Sequence, residues 1–240
     1  MPPVVSSALW GALAALPLLV GAWIAFRSQP SKRVVGSVAA FGAGALISAV
    51  SFELVEDAFA DADPAALGVA LAAGALTYFL GDQALGRASG SDTRTGARGR
   101  ALMLGAVLDG IPESFILGLS FAQSGQVGFA FLVAVIASNF PEGMASAAEL
   151  EDDPDMPESR VLGMWVIVVA VAALAAAVGA LAADLPPGVG AATQAFAAGA
   201  LLTMLIDDLV PEAREEGGIA AGLWAVFGFA VAFALHQVGG

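Results

Sequence analysis

Apolar stretches long enough to cross a bilayer recur along this chain and leave few residues for anything else. A bilayer core needs about 20 apolar residues per helix, and 58% of the 240 residues are hydrophobic while 13% are charged. A soluble domain of this size carries about 25% charged residues. The pattern predicts an all-α polytopic membrane protein, with residues 1–240 forming one domain. We expect eight spans: Val4–Phe26, Val35–Ala58, Ala65–Leu85, Ala101–Ala122, Val127–Glu149, Val161–Ala183, Gly190–Glu212 and Ile219–Val238.

All nine Lys and Arg residues fall in alternate loops, the ones that follow the first, third, fifth and seventh spans. The positive-inside rule predicts that these loops are cytoplasmic and that both termini lie outside the plasma (inner) membrane. No basic residue precedes the first apolar run, so we interpret that run as a retained span and not as a signal peptide. The basic residues are Arg27, Lys32, Arg33, Arg87, Arg94, Arg98, Arg100, Arg160 and Arg214.

The composition excludes several classes of function. A net charge of −13 is unsuited to nucleic acid, because nucleic-acid binding needs basic surface. Cysteine is absent, and His236 is the only histidine, so a thiolate site or a multi-histidine site cannot form within one chain. We therefore do not expect an enzyme of the zinc-hydrolase or thiol class. The expected partners are the lipid bilayer and a cation. An acid-rich proteome would explain the loop acids equally well.

Two segments of the chain resemble each other. FGAGALISAVSFELVEDA (41–58) and FAAGALLTMLIDDLVPEA (196–213) are identical at eight of eighteen positions without a gap. With eight spans the two segments cross the membrane in opposite directions, which predicts an inverted 3+2+3 arrangement around spans four and five. Inverted repeats are typical of transporters that bind their substrate near the membrane midplane. Chance similarity between Ala-rich and Gly-rich helices is the alternative.

The repeat places acidic residues at both membrane faces. We expect those of span two to line an outer vestibule and those of span seven an inner one, because clustered carboxylates concentrate cations. Ordinary solvated helix ends are the alternative, above all for Asp57 and Glu212. Glu53 and Asp207 should lie deeper than those two and are the better candidates. The vestibule residues are Glu53, Glu56, Asp57, Asp207, Asp208 and Glu212.

Spans four and five contain related motifs, Asp-Gly-Ile-Pro-Glu-Ser (109–114) and Ser-Asn-Phe-Pro-Glu-Gly (138–143). Pro112 and Pro141 cannot donate the helical hydrogen bond, so each should kink its helix and free a carbonyl four residues earlier. Residues four apart share a helix face. We therefore predict a metal site in which the two helices contribute Asp109, Glu113, Ser138, Asn139 and Glu142.

Uncompensated charge in the membrane is costly, and this limits what the site can do. Each mid-membrane carboxylate costs roughly 2.5–3.5 kcal/mol on insertion scales, so three cost about 8–10 kcal/mol. Within the spans no Lys or Arg can pair with them, so protonation or a bound cation must compensate. Oxygen ligands suit Mg²⁺, Mn²⁺, Fe²⁺ or Zn²⁺ without deciding among them. Protonated acids that only hold the helices together are the structural alternative.

At these motifs the chain resembles the ZIP family of divalent metal transporters, which has eight spans and both termini outside. By resemblance, Asp109 and Glu113 stand at the histidine and glutamate positions of the family's His-Asn-x-Pro-Glu-Gly motif. Ser138, Asn139 and Glu142 stand at the first, second and fifth positions of the related span-five motif. The resemblance implies import of zinc or a similar ion, a homodimer, and spans one, four, five and six sliding against the other four.

The sequence also departs from the family pattern. Both motif histidines are replaced, and Gly110 stands where the family has an asparagine, so we expect one metal site instead of two. These departures leave two alternatives to a metal importer. One is a degenerate relative that acts as a metal sensor or structural partner without flux. The other is a proton-coupled carrier of another solute.

Overall fold

The structure is a computed structural model that describes residues 1–61, 63–90, 97–150 and 156–239. Those residues are helical almost throughout and contain no β-strand, which confirms the all-α prediction for the described part of the chain. The α-helices formed by these residues are α1 (Pro3–Ser28), α2 (Lys32–Ala49), α3 (Glu56–Asp61), α4 (Pro64–Gly90), α5 (Ala97–Ser124), α6 (Phe129–Leu150), α7 (Glu158–Leu181), α8 (Pro187–Met204), α9 (Val210–Gly217) and α10 (Ala221–Gly239).

Seven helical stretches of the described residues are long and apolar enough to cross a membrane, which is the build of a multi-pass membrane protein. They are Pro3–Ser28, Lys32–Val55, Pro64–Arg87, Met103–Ser124, Phe129–Ala148, Glu158–Asp184 and Gly188–Val238. The last has 51 residues and combines two of the predicted spans. It is interrupted at Gly218, whose φ of 68° lies in the left-handed region between α9 and α10.

Large apolar side chains cover the outer surface of the helices. Val69 of α4 is 72% exposed, Leu174 of α7 is 66% exposed and Leu223 of α10 is 76% exposed. Soluble proteins rarely expose apolar surface on this scale. These helix faces are suited to contact with lipid chains.

Two short π-helical segments interrupt the helices that contain the repeat. The first π segment, Val50–Val55, joins α2 to α3, and the second, Leu205–Leu209, joins α8 to α9. In the alignment of 41–58 with 196–213, Val50 pairs with Leu205, so the two segments begin at the same position of the repeat. π-Helical turns are rare and are frequent at functional sites.

Glycine contacts join α1, α5, α6 and α7 into a first bundle. In each contact a Cβ added to the glycine would collide with a backbone carbonyl of the neighbouring helix, so only glycine permits the approach. Gly21 and Gly143 make the contact between α1 and α6, against Phe140 and Leu18. The contact between α5 and α7 pairs Gly118 with Ala176 and Gly179 with Phe115.

The same kind of contact pairs α2 with α10 and α4 with α8. Contacts of α8 with the first π segment and of α2 with the second connect these pairs, and we call the four helices, with α9, the second bundle. Gly44 and Gly228 bring α2 and α10 together, against Ala225 and Phe41. The pair of α4 and α8 uses Gly74 against Phe196 and Gly199 against Leu71. Between the bundles, a Cβ on Gly42 of α2 would lie 2.6 Å from the Ala137 carbonyl oxygen of α6.

Ion pairs identify one end of the bundles. Arg27 at the end of α1 lies 2.8 Å from Glu158 at the start of α7. Lys32 at the start of α2 lies 4.0 Å from Glu216 at the end of α9. We call this the basic end. Arg94 lies outside the described residues, as do the side chains of Arg98 and Arg100, and the orientation of the basic end in a membrane stays a prediction.

Candidate functional site

The two proline motifs lie inside continuous helices and contribute to one internal cavity. Helices α5 and α6 run unbroken through Pro112 and Pro141, and the kinks stay a prediction. Between these helices and the second π segment is a cavity of about 30 Å³, which is enough for a water molecule or a single ion. We call it the central cavity. Its lining residues are Asp109, Glu113, Ser138, Glu142, Met204, Asp208, Leu209 and Glu212.

The central cavity is strongly acidic. Five of its eight lining residues are carboxylic acids, and none is Lys, Arg or His. Glu113 is 2% exposed, so water contributes little to its solvation. Glu212 is four residues after Asp208, as Glu113 is after Asp109, and this spacing lets one helix face present two acids. Burying carboxylates together without a counter-charge is unfavourable, so this cavity is suited to a cation or to protons.

Tyr78 of α4 connects the acids of two helices, and sequence reasoning missed it. Its hydroxyl hydrogen-bonds to Asp208 at 2.8 Å and also to Asp109. Tyr78 is buried, and it is the only tyrosine in the chain. A single hydroxyl between two carboxyl groups fixes the orientation of both. Residues that hydrogen-bond to metal ligands without touching the metal act in the same way. The signal in the sequence was a lone tyrosine inside an apolar span, followed four residues later by Asp82.

The central cavity continues toward the basic end. A neighbouring cavity of about 320 Å³ shares Asp109, Glu142, Asp208 and Glu212 with it and adds Tyr78 and Asp82 to its wall. Next to it is a third cavity, of about 700 Å³, whose wall includes Lys32, Arg33, Ser146 and Glu212. Each cavity shares lining residues with the next, so the three are neighbours in a series that runs from the central acids to the basic end.

Toward the opposite end, buried apolar residues follow the acids of α5. Leu117 lies one helical turn beyond Glu113 and is 1% exposed. It belongs to the same buried cluster as Ile116 and Val135. Acidic residues therefore lie on the side of the central cavity that faces the basic end, and buried apolar residues follow Glu113 on the other side.

The remaining ligand candidates of span five have different partners. The amide of Asn139 donates to the Ala14 carbonyl of α1 at 2.9 Å, close to the helix turn that Pro17 disturbs. The hydroxyl of Ser138 donates to the Val135 carbonyl at 3.0 Å and leaves its oxygen at the central cavity. We keep Ser138 as a candidate ligand and leave out Asn139, whose amide faces the first bundle's interior.

The predicted vestibule residues divide into three groups. Asp208 and Glu212 line the central cavity, and Glu53 lines a separate cavity at the end opposite the basic residues. Glu56 and Asp207 are exposed, so Glu212, which we expected to be the weaker candidate, lines the central cavity and Asp207 does not. The side chain of Asp57 lies outside the described residues.

The acids of the central cavity are near one another without forming a closed ligand cage. Within the described ranges, no three His, Cys, Asp or Glu side chains form a group that could hold a metal ion as they are placed. Neither a model of a known protein family nor any curated protein matches this chain. The function is therefore argued below from the cavity and its residues.

Proposed function

We propose that this protein transports a divalent metal cation from outside into the cytoplasm and binds it in the central cavity. The observation that supports this most is the convergence of five carboxylic acids on one internal cavity without a basic lining residue. This is the activity that the resemblance to the ZIP family implies. In the proposal, Asp109, Glu113, Ser138 and Glu142 bind the ion.

The oxygen ligands favour a hard or borderline ion such as Mg²⁺, Mn²⁺, Fe²⁺ or Zn²⁺. Since the acids do not form a metal-holding group as placed, the ion must draw at least Asp109, Glu113 and Glu142 together by side-chain rotation. Three carboxylates carry more charge than one divalent ion neutralises. One of them therefore holds a proton when the ion is bound.

The proposal includes eight spans in an inverted repeat. The 51-residue apolar stretch would be about 76 Å long as one straight helix, more than twice the bilayer core, so it crosses twice with its turn at Gly218. Both termini are then on one side. The basic end is cytoplasmic in this orientation, because it contains the described Lys and Arg residues of the loops.

Reciprocal glycine contacts support the repeat independently of the sequence alignment. Shifting Phe41 and Gly44 by 155 positions gives Phe196 and Gly199. The first pair contacts Gly228 and Ala225 in α10, and the second contacts Gly74 and Leu71 in α4. In both contacts the two partner residues are three positions apart. In both, the phenylalanine carbonyl faces a glycine of the partner helix, and the glycine of the repeat faces a carbonyl of that helix. Similarity of composition alone would not give the same contacts in both halves.

The ligands and their supporting residues belong to different bundles. The four proposed ligands are in α5 and α6 of the first bundle, while Tyr78, Asp208 and Glu212 belong to the second. Movement of the first bundle along the second would carry the ion past Tyr78 and expose it to each side in turn. This is the sliding motion that the ZIP resemblance implies, and the series of cavities toward the basic end is what we would expect of its inward-facing state.

The experiment that tests the proposal is uptake of ⁵⁴Mn²⁺ or ⁶⁵Zn²⁺ into proteoliposomes that contain the purified protein. We expect wild type to accumulate ion above empty liposomes, and Glu113→Ala or Glu142→Ala to reduce uptake to the empty-liposome level. Asp184→Ala, which removes an exposed acid outside the central cavity, serves as the matched control and should transport normally. Binding without uptake by wild type would instead favour a metal sensor, and unchanged uptake by both Glu variants would refute the central site.

A further inference from the structure

A second cavity, of about 430 Å³, lies at the end of the bundles opposite the basic end. Its wall includes Glu53 of the first π segment, Ser120 of α5, Gln126 of the α5–α6 turn and His236 of α10. None of the proposed ligands of the central cavity lines it. We call it the outer cavity, and it shares no lining residue with the central cavity.

The outer cavity contains the chain's only histidine beside a carboxylate. His236 Nδ1 lies 3.9 Å from Glu53 Oε1, and the two side chains are 26% and 14% exposed. The ring of Phe52 stacks on the imidazole at a centroid distance of 6.0 Å, which limits the rotation of His236. An imidazole nitrogen and a carboxylate oxygen are a ligand pair that suits zinc and other borderline divalent ions.

The distance between the two groups is close to what an ion would need. Two ligand atoms, each about 2.1 Å from a tetrahedral Zn²⁺, lie about 3.4 Å from one another. The observed 3.9 Å therefore requires the two side chains to approach by about 0.5 Å, which a change of side-chain torsion can supply. The cavity has room for the water molecules that would complete the coordination shell.

Glu53 also connects the two bundles. Its Oε1 accepts a hydrogen bond from the Phe131 backbone N–H at 3.2 Å, in the first turn of α6. Its Oε2 lies where a Cβ on Gly128 would be, so the carboxylate covers the start of that helix. A negative charge there is favourable because the unpaired N–H groups of a helix start carry partial positive charge.

We propose that Glu53 and His236 form an outer binding site for a borderline divalent cation such as Zn²⁺. An ion held there draws the Glu53 carboxylate away from the start of α6 and loosens a polar contact between the bundles. If the proposed transport is right, capture of an ion at the outer end thereby favours movement of one bundle along the other. The site does not depend on the central cavity, so it can exist even if the proposed transport is wrong.

The alternative is that Glu53 and His236 have a purely structural role and bind no metal ion. If Glu53 and a protonated His236 only form an ion pair, the pair holds α2 against α10 and binds no metal. A histidine binds a metal ion only as the neutral imidazole, with the ion in place of a proton. The metal-site account therefore predicts one more bound ion per chain than the ion-pair account.

The test is the number of Zn²⁺ ions bound per chain, measured by equilibrium dialysis with ⁶⁵Zn²⁺ on the full protein in detergent. His236→Ala should lower the number by one, in wild type and equally in a Glu142→Ala background where the central site is removed. Asp184→Asn, which neutralises an exposed acid at the same end of the bundles, should leave the number unchanged. An unchanged number in His236→Ala would overturn the proposal.

A second variant guards against a folding defect. Glu53→Gln keeps a carbonyl oxygen that can accept from Phe131 N–H but loses the charge, which is worth about 0.3–1 kcal/mol at a helix start. Its Tm without metal should therefore fall only slightly below wild type, while one Zn²⁺ is lost. A Tm that falls in both Glu53→Gln and His236→Ala with no loss of Zn²⁺ would show an ion pair and refute the site. If the central-site proposal is the one that fails, Glu142→Ala will bind as many ions as wild type, and His236→Ala will still lose one.

Discussion

The hydroxyl of Tyr78 holds two carboxyl groups that come from different bundles. Because it contacts both Asp109 and Asp208, it sets the orientation of a proposed ligand without binding the ion itself. Residues in this supporting role typically change metal affinity about 10- to 100-fold when mutated. Tyr78 is therefore a positioning residue of the central cavity.

We expect Tyr78→Phe to raise the Km for metal uptake about 10- to 100-fold, because Asp109 and Asp208 lose their shared partner while the ring still fills its space. Thr77→Val is the matched control. It removes a hydroxyl from the preceding residue, where Thr77 donates only to the Ala73 carbonyl of its own helix. Equal Km values for Tyr78→Phe and wild type in proteoliposomes would contradict the positioning role.

Sequence reasoning at the residue scale was limited by partners that lie far away in the chain. Asp109, Glu113, Ser138 and Glu142 could be selected because proline and acid recur at fixed spacing within one helix. Asn139 belongs to the same motif, but its partner, Ala14, is 125 residues away. Local spacing contains no information about such a contact.

At the scale of elements, glycine decides which helices approach most closely. A side chain on Gly228 would collide with the Phe41 carbonyl of α2, while one on Gly222, in the same helix, meets nothing within 4 Å. The glycine content of the spans therefore has a specific use. Some glycines are required by close backbone contacts, and others are replaceable.

Gly228→Ala should destabilise the protein, because overpacking of a close contact costs about 1–3 kcal/mol. For a chain of this length that is a fall in Tm of about 2–4 °C per kcal/mol. Gly222→Ala is the control and should leave Tm unchanged or slightly higher, since Ala is the better helix former. If the repeat is correct, Gly74→Ala will lower Tm by about as much as Gly228→Ala does. Equal Tm values for Gly228→Ala and Gly222→Ala would contradict the close contact of Gly228 with Phe41.

The positions of the helices could be predicted from the sequence, but their internal irregularities could not. Each predicted span falls on a helical stretch because about 20 apolar residues bounded by charge or proline is a strong pattern. The two π segments have no such pattern, since an i→i+5 turn needs no particular residue. In the second segment, Asp208 lines the central cavity while Asp207 is exposed, and the sequence offered no means to separate these two neighbours.

At the scale of the whole molecule, the account requires the basic end to be cytoplasmic. The absence of cysteine from the chain allows single cysteines to be introduced and labelled without background. Ser31 and Ser159 are exposed at the basic end, and Gln123 is exposed at the opposite end. These three positions report the orientation of the bundles.

We expect a membrane-impermeant maleimide to label Gln123→Cys in right-side-out vesicles, and to label Ser31→Cys and Ser159→Cys only after the vesicles are opened. Three predicted spans lie between Ser31 and Gln123 and one lies between Gln123 and Ser159, so the two serines should be on the cytoplasmic side and Gln123 on the other. Labelling of Ser31→Cys and Gln123→Cys from the same side would contradict the eight-span topology. Labelling of Ser31→Cys and Ser159→Cys from outside, with Gln123→Cys protected, would show that the protein has the opposite orientation. The proposed direction of transport would then be reversed.

The central claim is that a divalent ion binds among the acids of α5 and α6. The most direct test is a crystal structure of the protein soaked with Mn²⁺ or Cd²⁺, in which anomalous scattering locates the ion. The account predicts a peak in the central cavity within about 2.5 Å of carboxylate oxygens of Glu113 and Glu142, and its loss in Glu142→Ala. A protein that transports the ion but shows no anomalous peak between α5 and α6 would contradict the account.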